Sequence, residues 1–598
     1  MPFMPIKVKS KFVILALTSI LLVLLPTLTT TFWRAETKSS LTAEPKSSAS
    51  NANAVLGGQL GWLNYYGHEV PFIDQFKLNS GWSGECADEW DDPGCKKTMS
   101  DDEIKQKLFE QDANGWIKSI PKRGTNPKQY NSVGTIFLWN GGFKPGRYIL
   151  TYDGEGVVEA SNSAKKNEAL SKPNRQVYDI PDTTVGNSGL KVAIKQTDPN
   201  GTGNYIRNIK FFREDQESLL KAGEIFNPDF INIVKPFKFL RAMSWMATND
   251  GNEQKNWDDL VKITDYNWAG QEFITPSRKR GGAPIDVLTA LANKTSSDLW
   301  LNIPHQATDD YVTKFAQKVK ETLDPKLNVY IEYSNEVWNW SPAFSQSHWA
   351  VEQAKARWGE DKPDRGADFN AFYGMRASQV INIWKSVFGN QADRVKGVMA
   401  TQTAWKGLEE NRLQCVAYAK EEKQPPCYKS FDLYAITGYF GAALSQPENA
   451  DTVKKWMREP DGGYAKALNF LRTGQGLGTN AGSLPDVQAD RTYHKGVADR
   501  YGLKLVTYEG GPDFVSQDKE IQQWLNKLRK RPELKELYTE FLNDWKNKGG
   551  SLYSHHVIMG GGEYSAVDGT YVEDPNTSAV YQALLQFKEK TVSKLDLP

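Results

Sequence analysis

The chain has 598 residues, too many for one ordinary domain. Its 73 Lys and Arg balance 72 Asp and Glu, so it lacks the basic surplus by which nucleic-acid and anionic-membrane binders are recognised. No nucleic-acid partner is expected.

At the N-terminus, Lys7, Lys9 and Lys11 precede an uncharged, largely apolar run over 12–33 that ends at Arg34. A basic start followed by such a run reads as an export signal. About 20 apolar residues also suffice to cross a bilayer, so the segment 1–34 is either a cleaved signal peptide or a single-helix anchor. Pro26 and the run of Thr weaken the anchor. Residues 35–55, "AETKSSLTAEPKSSASNANAV", are polar and aperiodic and read as a disordered linker. Export, with the chain secreted or held on the outer side of the membrane, exposes cysteines to oxidation. The four cysteines form two close pairs, Cys86 with Cys95 and Cys415 with Cys427, and each pair would close a short loop as a disulfide. The metal alternative needs His partners, and neither loop contains one. No metal or organic cofactor is expected.

"GQLGWLNYYG" (58–67) reads as a first strand, within a segment 56–112 of strand and loop. Over 113–214 the character changes. "TIFLWNGGFKPGRYILTYDGEGVVEAS", "LKVAIKQTD" and "NYIRNIKFF" are short strands broken by Gly, Pro and Asn, the pattern of an antiparallel, sandwich-like all-β module. Over 215–590 seven apolar runs (237–245, 298–304, 328–333, 394–400, 431–437, 503–508, 551–558) alternate with amphipathic segments such as 309–323 and 518–547. That β-then-α rhythm predicts a parallel sheet flanked by helices, and eight such strands close a TIM (β/α)8 barrel. The predicted fold is therefore an α/β barrel with an all-β module inserted after the first strand, beside the C-terminal face where barrel active sites are built.

Two carboxylates stand where barrel chemistry belongs. In "NVYIEYSNEVWNW" (328–340) an Asn-Glu pair ends the fourth strand at Glu336, and in "LVTYEGGPDF" Glu509 ends the seventh. A Glu after a strand is ordinarily a helix-start or surface charge. The joint spacing is what matters, because these two strand ends face one another across the mouth. Two such carboxyls, one holding its proton, can act as general acid/base and nucleophile at a glycosidic bond.

On these residues the barrel region resembles the clan A glycoside hydrolases, and the whole layout is similar to exported bacterial proteins labelled cellulose-binding. The resemblance implies that Glu336 is the acid/base and Glu509 the nucleophile. It implies that Asn335 binds the sugar 2-OH, that Arg241 (in "FLRAMSW") and Tyr439 (in "ITGYF") orient the nucleophile, and that His305 (in "NIPHQ") lies near the substrate. The clan often carries a Trp at the end of strand eight. Here "SLYSHHVIMGGGEY" stands instead, so stacking is expected from Trp245, Trp338 or Trp405, with His555 beside the substrate. Other readings stay open. Glu332 shares the parity of Glu336 and would point inward with Arg241 as an ion-pair partner. His305 would serve equally as a backbone cap. His555 and His556 face opposite ways on a strand and do not make a zinc site. Trp139, Tyr148 and Tyr152 of the module are either a sugar-stacking ledge or its core. The expectation is an exported retaining β-glycosidase acting on a cellulose-like or related polysaccharide or oligosaccharide. The alternative is a non-catalytic carbohydrate-binding surface protein on a glycosidase-like scaffold.

Overall fold

The computed structural model describes residues 54–86, 109–120, 130–249, 254–270, 281–342, 344–560 and 562–592. The export segment 1–34, Cys95 and all but the last two residues of the 35–55 linker lie outside them. Among the described residues no helix is long and apolar enough to cross a membrane.

Eight parallel strands close a barrel: Val55–Gln59, Phe239–Arg241, Asp298–Ile303, Val329–Tyr333, Val395–Ala400, Leu433–Phe440, Lys504–Pro512 and Leu552–His555. The last pairs with the first, from Val55 opposite Leu552 to Gly58 opposite His555. The strands are apolar runs because both faces are covered, by the barrel interior and by the outer helices. Those helices carry ordinary start signals. Thr308 caps Asp309–Thr322 by accepting from the Tyr311 amide, and Asp518 caps Lys519–Arg529 through the amides of Glu520 and Ile521. The 518–547 segment is two helices, because Pro532 opens a second one, Pro532–Asn547.

The first strand differs from its predicted position. It occupies Val55–Gln59, so Val55 belongs to the barrel and 60–67 leaves the sheet as loop. The two glycines explain this. A Cβ on Gly57 would lie 2.4 Å from the Phe239 ring and one on Gly58 2.5 Å from Ile558, so the strand is thin where its neighbours are bulky.

Between the first and second barrel strands the chain builds two four-stranded antiparallel sheets. One orders Ser83–Cys86, Tyr130–Phe137, Leu190–Thr197 and Gly156–Asn162; the other orders Arg207–Arg213, Gly146–Asp153, Arg175–Ile180 and Lys165–Lys166. The strand Ser83–Cys86 comes from within the segment expected to be barrel loop, so the module draws on residues ahead of 113. It has its own core, and that core reaches the barrel. Trp82 stacks on Tyr266 from the loop after the second barrel strand, with ring centroids 5.5 Å apart. Asp74, in the loop after the first strand, accepts the Phe211 amide of the module at 3.1 Å. Tyr148 and Tyr152 are buried in this core, whereas Trp139 is 45% exposed. Farther along, Cys415 and Cys427 form a disulfide with Cα atoms 5.7 Å apart.

Candidate active site

The fourth strand ends in a sharp turn. Ser334 and Glu336 both take the left-handed conformation, with φ of +61° and +44°, a cost tolerated where the surroundings fix the backbone. Ser347 Oγ and the Asn339 amide both donate to the Glu336 carbonyl, and Gln346 Nε2 donates to the Asn335 carbonyl at 2.6 Å. The seventh strand solves a different problem. Its register against the sixth slips between Thr507, opposite Ile436, and Glu509, opposite Thr437, leaving Tyr508 as an extra residue. Such a bulge re-aims side chains. Here the consecutive Tyr508 and Glu509 both reach carboxylate chemistry at the mouth.

The two carboxyls have separate partners. Glu336 Oε1 accepts the Tyr508 hydroxyl at 2.8 Å, and its Oε2 accepts Asn339 Nδ2 at 2.8 Å. Glu509 Oε1 accepts Arg241 Nη1 at 2.8 Å, and its Oε2 accepts the Tyr439 hydroxyl at 2.9 Å. Burial, and then the charge of Glu509, push the Glu336 carboxyl up to about 7 against the pull of Asn339 and Tyr508. Burial raises Glu509, while the charge that His556 carries when protonated, Arg241 and the Tyr439 donor lower it, and the lowering wins. Burial holds the His556 imidazole low as well, so at neutral pH it is uncharged. Arg241 and Tyr439 are then the groups that keep Glu509 ionised.

Arg241 is the hub. It is fully buried and forks onto Glu332 at 3.0 Å, while Nη1 also donates to Gln59 Oε1 at 2.5 Å and Nη2 to Asn335 Oδ1 at 2.8 Å. Both contacts weighed for this arginine, an ion pair with Glu332 and one with Glu509, are present. Trp300 Nε1 adds a donor to Glu332 at 2.9 Å. A buried charge network of this kind is tolerable because each member is partnered.

Several expected substrate contacts lie elsewhere. Trp245 follows the end of the second strand and packs fully buried between Phe72 and Phe230, in the core. Trp338 is buried behind the acid, beneath the Arg412 guanidinium at 4.8 Å and beside Tyr508. His555 is fully buried and bonded to Tyr538 at 2.9 Å, facing the helix layer, so it is not beside the mouth. His556 takes that place, with Nδ1 3.7 Å from Glu509 Oε1. His305 ends near the third strand with its ring against Trp349, and burial lowers its pKa to about 4. None of its hydrogen bonds among the described residues reaches either carboxyl. Trp405 stands 51% exposed in the loop after the fifth strand, and Trp340 is 44% exposed after the fourth. Gln59, Asn339, Tyr508 and His556 are the functional neighbours that sequence reasoning missed. For Gln59 the available signal was a polar residue closing an apolar strand. Among the described residues no group of three or more His, Cys, Asp or Glu is placed to hold a metal.

No family model matches the chain, and no curated protein does. Solved structures show likenesses in fold. One is a 4-O-alpha-L-rhamnosyl-beta-D-glucuronidase from Fusarium oxysporum, at 12% identity and TM-score 0.33 over 60% of this chain and 64% of that one. A second is an endo-1,4-beta-xylanase from Caldicellulosiruptor owensensis, at 9% identity and TM-score 0.29 over 60% of this chain and 92% of that one. A third is an endo-beta-1,4-mannanase from Thermotoga petrophila, at 14% identity and TM-score 0.26 over 62% of this chain and 74% of that one. The chain thus spans less than two thirds of the first. At these scores the likenesses carry no weight for activity, and the barrel rests on its own strand pairing.

Proposed function

We propose that the chain is an exported retaining β-glycosidase that cleaves a β-linked glycan, cellulose-like or related, by double displacement. The observation that supports this best is the opposite poise of two buried carboxyls, one just past the fourth strand and one within the C-terminal part of the seventh. Glu336 is pushed toward the protonated form, and Glu509 is held ionised by Arg241 and Tyr439. Environments that drive two titratable groups apart assign the acid and the nucleophile.

In the first step a Glu509 oxygen attacks the anomeric carbon as its bond to the leaving oxygen breaks, and Glu336 gives its proton to that oxygen. In the second, Glu336, now ionised, takes a proton from water as the water oxygen displaces Glu509 from the same carbon. Two inversions leave the sugar with its original configuration. Trp340 and Trp405 lie in the loops after the fourth and fifth strands, on the side of the acid, where the leaving group must sit. Exposed indole faces suit the apolar faces of sugar rings there. The basic and apolar start of the chain supports export.

The test is a pair of variants assayed on a panel of β-glucans, xylan and mannan and on activated aryl glycosides. Glu509→Ala should lose all turnover, and added azide should restore a slow reaction that yields the α-azide. Glu336→Ala should still react with aryl glycosides whose leaving group needs no protonation. Near-wild-type turnover in both variants would refute the assignment, and binding without turnover across the whole panel would make the chain a carbohydrate-binding scaffold.

A further inference from the structure

His556 lies immediately beyond the eighth strand, a position the reaction above does not use. Its Nδ1 is 3.7 Å from Glu509 Oε1, the same oxygen that Arg241 Nη1 bonds at 2.8 Å. That separation is too long for a hydrogen bond, yet short enough for a strong interaction between charges. The ring is fixed edge-on to Tyr439 and to Tyr564, with centroids at 6.1 and 5.2 Å, and its main chain is held by the Gly510 carbonyl. Nδ1 is buried and has no hydrogen-bond partner among the described residues. That leaves a buried nitrogen open to a partner beside the Glu509 carboxylate.

We propose that His556 is a positioning residue for Glu509: as a neutral imidazole it leaves Oε1 with a single cationic donor, and on taking up a proton it closes on that oxygen as a second one and quenches the nucleophile. This rests on the reading of Glu509 as the nucleophile. A carboxylate holding two charge-assisted hydrogen bonds on one oxygen is stabilised as the anion and attacks less readily.

The groups facing the imidazole set when this happens. Glu509 from the seventh strand draws a proton onto it, and Arg241 from the second strand opposes this. Tyr439 comes from the sixth strand, and Tyr564 from the loop after the eighth, where its hydroxyl meets Asp513 at 3.3 Å. His555, the next residue, is kept neutral by burial, and Glu336 acts through Glu509. Burial outweighs the pull of Glu509 and places His556 below its ordinary value. Glu509 is itself held below its ordinary range, and on this proposal the acid limb of kcat/KM belongs to the imidazole.

The experiment follows kcat/KM against pH for the full chain on an activated aryl β-glycoside. His556→Asn should move the acid limb to lower pH by about one unit or more, with the basic limb in place. An acid limb that does not move in a folded His556→Asn protein would overturn the proposal. A second measurement needs no turnover. The chain has six His, so labelling at imidazole carbon resolves each of them, and the His556 signal is the one missing from His556→Asn. Its titration should coincide with the acid limb and should fall to lower pH in Glu509→Gln, where the anion that favours protonation is gone. A His556 titration indifferent to Glu509→Gln would overturn the proposal even if the Asn variant fails to fold. A chain that turns over no glycoside would refute the glycosidase reading, while the titration still decides whether the two side chains are coupled.

Discussion

The Tyr508 hydroxyl donates to Glu336 at 2.8 Å, so the residue immediately before Glu509 holds the carboxyl on the opposite side of the mouth. The bulge at Tyr508 makes this possible, and it couples the two strand ends through one rigid element. Tyr508 pulls the Glu336 pKa down against burial and the charge of Glu509. Tyr508→Phe should therefore raise the Glu336 pKa further. Because the acid must be protonated in the free enzyme, the basic limb of kcat/KM, expected where Glu336 titrates at about 7, should move to higher pH in Tyr508→Phe. A basic limb that moves down or stays would show that Tyr508 does not act on the acid.

Arg241 offers a stability test. Arg241→Met would leave Glu332, with no exposed surface, and Glu509 without their shared cation. Removing one partner of a buried ion pair costs about 3–5 kcal/mol. Urea unfolding should show a loss of that size, and kcat/KM should fall by about 10²–10³ or more, as when a donor to reacting charge is lost. Arg241→Lys keeps the charge but not the planar fork that reaches Glu332, Gln59, Asn335 and Glu509 together, so it should recover only part of either quantity.

The poise of Glu336 should have a cost that pH reveals. Its pKa rises from 4.5 to about 7 on folding, so its contribution to stability is fully present below 4.5 and is lost as pH rises through 7. The lost amount is on the order of 3 kcal/mol. Glu336→Gln, which cannot ionise, should therefore be more stable than the wild type at pH 8–9, with little difference near pH 4. Thermal unfolding at both pH values measures this, and an equal offset at both would mean the carboxyl is not strained by ionisation.

The module makes a separate prediction through Trp139, whose amide donates to the Tyr65 carbonyl in the loop after the first barrel strand. Its main chain is thus tied to a barrel loop while its ring is exposed, and Tyr66 of that same loop is 39% exposed. Contacts remote from the scissile bond act on long substrates. Trp139→Ala should lower polymer hydrolysis several-fold more than hydrolysis of a small aryl glycoside. Equal losses on both would leave the module without a part in substrate binding.

The parts of this architecture that depend on local pattern were legible in the sequence. Buried parallel strands are apolar on both faces, so seven of the eight barrel strands stood out, and Glu336 and Glu509 stood out as charges following apolar runs, although the seventh strand continues past Glu509 to Pro512. What depended on register was not legible. His555 and His556 face opposite ways, and only the pairing with the first strand decides which one meets Glu509. The bulge that turns Tyr508 inward has no signature in "LVTYEGG". Gln59 was overlooked because the strand was placed at 58–67, where this residue would stand near its start, whereas in the fold it closes Val55–Gln59. Trp245 was misjudged because a large ring past a strand end serves a core as readily as a cleft.

The most direct test is covalent capture. A 2-deoxy-2-fluoro β-glycoside with a good leaving group, matched to the sugar the enzyme accepts, slows the second displacement more than the first and lets a glycosyl-enzyme accumulate. Mass spectrometry of the intact protein should then show one added sugar, and peptide sequencing should place it on Glu509 in "LVTYEGGPDF". Proton NMR of the unmodified reaction should show the β-anomer as first product. An adduct on another residue, or no adduct together with an α-anomeric first product, would contradict the account.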